Sequence, residues 1–377
     1  MAHVNGSPLC RYRKRKLTSL SRKKIGLSGR ISGALRTVAS SESKDSEWVV
    51  LGDSDSNPTR KIAGQEANAF FSYADTIWEW EQHKVNYVVA GAGPPVILIH
   101  GFGANLRHFR RNIPVLAQSH TVYAIDLLGF GKSDKPIGFD FSMERWRDLV
   151  ACFIEQIVQE PVVLVGNSIG SLISLMVAAE SPMQKGLPST GVRGIVLLNC
   201  AGGMNSKFIM ESPLENDDPK YKLFSPLFWL VDRILSTRFI AEPLFNNVKT
   251  EENIRQVLKN VYVNTAAVDD ELVDLFIAPS LDVGAFETFT NILTGEPGPR
   301  PEVVARSVKC PMCIVWGPPD VVTDLEGPIG KFFRELSEKS GPEVELKLVD
   351  TGHCPHDDDP ETVNSIIKDF LDNRLLN

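Results

Sequence analysis

The chain has 377 residues, 43% hydrophobic and 23% charged, the make-up of a globular protein with one large core or two modest ones. Its 40 Lys and Arg against 47 Asp and Glu give a formal charge of −7, unevenly spread: no acid precedes Glu42. The remainder is therefore clearly acidic, which argues against nucleic acid as its partner, and no stretch has the roughly 18 uncharged apolar residues of a membrane span.

Residues 1–45 carry Arg11, Arg13, Lys14, Arg15, Lys16, Arg22, Lys23, Lys24, Arg30 and Arg36 among many serines. An Arg-rich, Ser-rich, acid-poor head without an apolar run predicts a disordered organelle transit peptide rather than a secretory signal. Composition leaves plastid, mitochondrion and a basic tail for RNA or an anionic membrane all open. Residues 46–75, with Asp53-Ser54-Asp55-Ser56 and Asn57-Pro58, read as a linker. Order is expected from Thr76, where Trp78-Glu79-Trp80 and Val85–Val89 suggest a strand pair.

Short apolar runs follow at Val96–Ile99, Val122–Ile125, Val162–Val165, Ile195–Leu198, Met312–Trp316 and Val344–Val349. Helical patterns separate the early ones at Asn105–Gln118, Ser142–Gln159 and Ser168–Glu180. Alternating apolar strands and helices predict an α/β fold, a mostly parallel sheet flanked by helices. The core would comprise residues 76–200 and 301–377. Residues 201–300 lack a core strand but carry helical patterns at Leu223–Thr237, Glu251–Asn264 and Asp269–Ile277, with Thr250 as a cap and Glu251 and Glu252 in a first turn. They predict an inserted helical lid, rich in large apolar residues: Phe224, Leu227, Phe228, Trp229, Leu230, Phe239, Ile240, Leu244 and Phe245. Most of these belong in the lid's own core, and some are expected to line an apolar pocket. In the last segment, Glu361–Leu375, Val363, Ile366, Ile367, Phe370 and Leu371 share one helical stripe and should pack on the sheet.

Val162–Val165 runs directly into Gly166-Asn167-Ser168-Ile169-Gly170, and a helix follows. Glycine-x-serine-x-glycine between a strand and a helix is a nucleophile elbow, whose sharp turn presents the serine hydroxyl above a helix N-terminus. A serine hydroxyl needs a base to take its proton. Elbow folds supply the partners in the order serine, acid, histidine. Asp320 follows the strand ending at Trp316, and His353 follows the strand ending near Val349, so they are the expected orienting acid and general base. Asp324 is the alternative acid; His356 is expected to begin the last helix. An oxyanion hole needs two N–H donors, expected from Ile169 and from Phe102 in His100-Gly101-Phe102-Gly103.

Asp126-Leu127-Leu128-Gly129-Phe130-Gly131-Lys132-Ser133 lacks the spacing of a phosphate-binding loop and reads as a structural turn. Cys310-Pro311-Met312-Cys313 enters an apolar strand, so its cysteines are expected to be buried rather than redox-active. No His, Cys, Asp or Glu cluster has metal-ligand spacing, and no metal or cofactor is expected.

Together, His-Gly-Phe-Gly, Asp-Leu-Leu-Gly-Phe-Gly-Lys-Ser, Gly-Asn-Ser-Ile-Gly, Trp-Gly-Pro-Pro-Asp and Gly-His-Cys-Pro resemble the α/β-hydrolase superfamily over residues 76–377. Trp78-Glu79-Trp80, His100-Gly101-Phe102-Gly103-Ala104-Asn105 and Gly352-His353-Cys354-Pro355 resemble its plant plastid group, which includes pheophytinase and chlorophyll dephytylase. That resemblance implies a chloroplast location, a long apolar or phytyl ester as substrate, and peripheral contact with plastid membranes. Two positions depart from the group: Ser171 in place of a second glycine after the elbow, and Pro318-Pro319 before the acid. Carbon–carbon bond hydrolysis on the same fold and a non-catalytic ligand receptor or interaction protein are the competing readings. Epoxide and haloalkane hydrolysis need a carboxylate where this chain has Ser168.

Overall fold

The computed structural model describes residues 73–181, 191–205 and 237–374. The expected transit peptide, most of the linker, helix residues 223–236 and the aromatic cluster Phe224–Leu230 lie outside the described residues.

Eight strands make one sheet: β1 (Thr76–Trp80), β2 (His83–Ala90), β3 (Pro95–Ile99), β4 (Thr121–Ile125), β5 (Val162–Asn167), β6 (Val192–Leu198), β7 (Met312–Trp316) and β8 (Val344–Leu348). Their order is β1-β2-β4-β3-β5-β6-β7-β8. The Trp78–Val85 pairing joins β1 and β2 as an antiparallel hairpin, and β2 is antiparallel to β4. All pairings from β4 through β8 are parallel.

Strand period divides the core in two. Ile97, Ile99, Val162, Leu164, Ile195, Leu197 and Ile314 face one side, with Trp146, Leu172 and Phe333 from the helices there. Val96, Leu98, Val163, Val165, Val196, Leu198 and Val315 face the other, with Phe109, Val363, Ile367, Phe370 and Leu371. Alternate residues thus meet different helix layers, and burial on both faces makes these strands apolar throughout. The last helix, Pro360–Arg374, packs with the stripe expected of it.

One helix differs from expectation. Asn105–Gln118 is a short 3-10 turn, Leu106–Phe109, followed by a single helical turn, Ile113–Leu116. The Asn105 side chain accepts from the Arg107 N–H at 2.9 Å, and the Leu106 N–H goes to Asp126 Oδ1 at 2.7 Å. Pro114, without an N–H, stands in the first turn of the second piece, where its missing donor costs nothing. The loop Asp126–Ser133 is structural, as expected. Asp126 accepts from Asn86 Nδ2 and the Lys132 N–H, and a Cβ on Gly131 would lie 2.2 Å from its carboxyl carbon. Cys310 and Cys313 are buried.

β6 and β7 are parallel neighbours, so the chain between them leaves at the carboxyl edge of the sheet and re-enters at its amino edge, one strand over. Its described part holds helices Arg238–Val248, Glu251–Val261, Asp270–Ser280 and Ala285–Thr294. Asp269 caps the third through the Leu272 N–H at 2.8 Å. Thr250 does not cap the second: its hydroxyl donates to Asn247 O at 3.0 Å. Leu258, Tyr262, Val268, Leu272 and Val273 form a small core here together with Cys354. Among the described residues no helix is long and apolar enough to cross a membrane.

Candidate active site

Parallel strands deliver their carboxyl ends to one edge, where Phe102, Ser168, Asp320 and His353 follow β3, β5, β7 and β8. Ser168 is a non-glycine residue with φ 56° and ψ −118°, a backbone strain that its surroundings must hold. They do so by crowding. A Cβ on Gly166 would stand 2.2 Å from Gly170 O, and one on Gly170 would stand 2.2 Å from Ile99 O. The glycines are thus required for close approach, while the unusual φ falls on the serine between them. Ser168 N–H donates to Leu198 O at 3.0 Å, and Ser168 O accepts from Ser171 and Ala201.

Ser171, the departure after the elbow, is fully buried. Its hydroxyl donates to Gly166 O at 2.6 Å and accepts from the Leu198 N–H at 3.1 Å, tying the elbow helix to β6. Pro318 and Pro319 are exposed, in a turn closed by the Asp320 N–H to Gly317 O. Neither departure removes a polar group from the site.

His353 and Asp320 are brought together, with Nδ1 2.8 Å from Asp320 Oδ2. The carboxylate accepts, so neutral His353 carries its proton on Nδ1 and leaves Nε2 as a bare base. Asp320 is 3% exposed, and its carboxylate also accepts from Asn199 Nδ2 at 2.6 Å, the Val322 N–H at 2.7 Å and the Thr323 hydroxyl. Burial works to raise its pKa; the hydrogen bonds from His353, Thr323 and Asn199 outweigh that and hold it below the usual carboxylate range. Asp324 is exposed and takes the Glu326 N–H instead. His356 does not begin the last helix. It sits fully buried on the one-turn helix Pro355–Asp358, its ring 4.6 Å from that of Phe109.

Ile169 opens the elbow helix, so its N–H has no acceptor within that helix. Phe102 lies on the neighbouring loop, where Gly101 passes so close that a Cβ there would be 3.2 Å from Ser168 Cβ. His100 holds this loop: its Nε2 accepts from the Leu127 N–H at 3.0 Å, so Nδ1 carries the proton and donates to Gly101 O at 2.8 Å.

A family model described as the alpha/beta hydrolase fold matches residues 94–241. Chloroplastic pheophytinase of Arabidopsis thaliana is 26% identical over 334 residues, covering 78% of this chain and 65% of the pheophytinase. The chain thus spans just under two thirds of that relative's length. The 2-hydroxy-6-oxo-2,4-heptadienoate hydrolase of Pseudomonas putida is 26% identical, covering 64% of this chain and 78% of the relative. A solved serine hydrolase involved in carbazole degradation superposes with a TM-score of 0.58 at 23% identity, over 80% of this chain and 99% of its own.

This chain has the α/β-hydrolase fold and resembles pheophytinase.

In this α/β-hydrolase fold two asparagines that sequence reasoning passed over hold the candidate site together. Asn167, beside the serine, donates from Nδ2 to Leu198 O at 3.1 Å and to His353 O at 3.0 Å. Asn199, at φ 45°, stands at the end of β6 between the serine and acid strands. Beyond its bond to Asp320, its Oδ1 accepts the Gly317 N–H at 3.1 Å. The signal was present: each is an amide closing a buried apolar run. A cavity of about 220 Å³, open to solvent, borders the loop at Phe102 and Gly103. Phe130, Phe245, Phe276 and Phe289 line it with Ile254 and Leu258. Among the described residues no group of His, Cys, Asp and Glu is placed to hold a metal ion.

Proposed function

We propose that this chain is a serine hydrolase that cleaves a carboxylic ester with a bulky apolar group, through an acyl-enzyme on Ser168. The observation that carries this reading is the 2.8 Å His353–Asp320 contact, on strand ends beside a strained serine elbow. Ser168 Oγ attacks the ester carbonyl carbon while its proton passes to His353 Nε2. The carbon–oxygen bond to the alcohol then breaks, and His353 returns that proton to the departing alkoxide. Water reverses the sequence: it gives a proton to His353, adds to the acyl carbon, and Ser168 leaves with the proton restored. Asp320 holds the imidazole and stabilises its cation. The N–H groups of Phe102 and Ile169 receive the oxyanion, each such donor contributing about 10²–10³ in turnover.

The apolar cavity and the likeness to pheophytinase support a long-chain or phytyl ester as the substrate, with the helical insertion as a lid over the site. The acid-free head and the same relative support a chloroplast location, and a substrate of this kind implies peripheral contact with plastid membranes. Residues 1–75 fused to a fluorescent protein are expected to reach plastids; import into mitochondria would refute that location.

The decisive test is fluorophosphonate labelling of the wild type and of Ser168→Ala, with turnover of chlorophyll a, pheophytin a and short- and long-acyl p-nitrophenyl esters. Labelling and long-ester turnover by the wild type alone are expected. Absence of both in folded protein would leave a non-catalytic receptor, and turnover of short acyl esters only would remove the phytyl-ester reading. Likeness to the Pseudomonas putida enzyme favours a second reading, carbon–carbon hydrolysis. Under it, a vinylogous diketone is cleaved at least about tenfold faster than any ester.

A further inference from the structure

Two buried carboxylates follow His353, and the chemistry above uses neither. Asp357 pairs with a cation: Arg110 Nε lies 3.1 Å from its Oδ1, and the Tyr262 hydroxyl donates to Oδ2 at 3.2 Å. Asp358 is different. It is 2% exposed and collects backbone N–H groups from two segments, one just upstream and one more than 90 residues away. Gly352 donates to Oδ2 at 2.6 Å, Val263 to Oδ2 at 2.9 Å and Asn264 to Oδ1 at 2.7 Å. Gly352 immediately precedes His353, whereas Val263 and Asn264 follow the insertion helix Glu251–Val261.

The same junction is tied twice more. The His353 N–H donates to Val261 O at 2.8 Å, and a Cβ on Gly352 would lie 2.1 Å from that oxygen. Cys354 sits in the insertion's own small core. The backbone around the base is therefore attached to the end of an insertion helix. That helix walls the cavity through Ile254, Val257 and Leu258.

We propose that Asp358 is a positioning residue for His353, clamping its loop to the end of helix Glu251–Val261 so that base and cavity wall keep one relative placement. The proposal rests on the reading of His353 as the general base. An ionised carboxylate accepting several N–H bonds makes strong, directional contacts. An amide in its place keeps one acceptor oxygen and turns an NH₂ toward N–H donors. The loop must then shift, and displacing a reacting group by about 1 Å costs roughly 100-fold in rate.

Asp358→Asn is expected to lower kcat on a p-nitrophenyl ester about 10- to 100-fold. KM should stay within about threefold, because the cavity lining is untouched. Asp358→Glu, which keeps a charged two-oxygen acceptor, is expected to recover part of the loss. Amide exchange at His353 should accelerate in Asp358→Asn while exchange in β5 does not, separating a released loop from general destabilisation. Should Asp358→Asn fail to fold, Asn264→Pro removes the N–H to Asp358 Oδ1 together with the side-chain amide's 3.4 Å bond to Asp358 O, at a backbone φ of −81° that proline accepts, with the same expected direction. A folded Asp358→Asn with wild-type kcat, or with KM alone raised, would overturn the proposal. If the wild type neither labels nor turns over, the hydrolase reading falls instead, and the exchange measurement still decides whether Asp358 holds the loop.

Discussion

The sheet-end loops and the helical insertion contribute unlike material to this molecule. On the sheet side Ser168, Asp320 and His353 are all under 10% exposed, and each is held by several directed hydrogen bonds or by backbone packed too tightly for a Cβ. On the insertion side Phe239 is 90% exposed, Ile240 and Leu244 are about half exposed, and the cavity wall is made of apolar contacts such as Phe245 against Phe289. Only Phe245 of these meets the expectation of a buried, pocket-lining residue. The groups proposed to react sit where geometry is over-determined, while apolar surfaces that bind by area can change one side chain at a time with modest effect.

Four changes would break or sharpen that contrast. Asp320→Asn should lower kcat by about 10⁴-fold in steady-state assays, because an amide beside Nδ1 favours the wrong imidazole tautomer. A loss under tenfold would mean that His353 is held by its loop alone. Gly170→Ala drives a Cβ to 2.2 Å from Ile99 O, and we expect denaturant unfolding to show a loss of about 3 kcal/mol. An unchanged midpoint would show that the elbow yields more readily than its crowding implies.

Phe245→Ala enlarges the cavity without touching the sheet-end loops. It should reduce kcat/KM for long-acyl esters about tenfold and leave short-acyl esters within about twofold. Equal losses across the series would place Phe245 in the shared machinery. The smallest effect concerns pH. Burial lowers the His108 pKa from 6.5 to about 4, against an opposing pull from Asp357. The unfolded chain therefore binds the extra proton between those values, and stability falls as pH drops from 6.5 toward about 4. His108→Gln should flatten that slope by at most one proton in unfolding titrations; equal slopes would remove His108 as a contributor.

Strands and elbow were legible for a local reason. An apolar run buried on both faces needs only its own residues to declare itself, as Met312–Trp316 does. The glycines of the elbow mark a crowded turn by residue type alone. Where the chain broke expectation, a side-chain hydrogen bond had gone to a partner that periodicity does not mark. Asp126 takes the Leu106 N–H at the head of Asn105–Gln118, and Thr250 gives its hydroxyl to Asn247 O rather than to its own helix.

Period and the succession serine, acid, histidine are properties of the chain itself, and they sufficed for the α/β fold and for pointing to Ser168, Asp320 and His353 as candidates. Which groups hold them was decided only in three dimensions. Asn199 reaches Asp320 across 121 residues, Asn167 reaches His353 across 186, and Asp358 reaches back 94 to Asn264. Hydrogen bonds of that span leave no periodic trace, because they depend on which strand ends the sheet sets side by side.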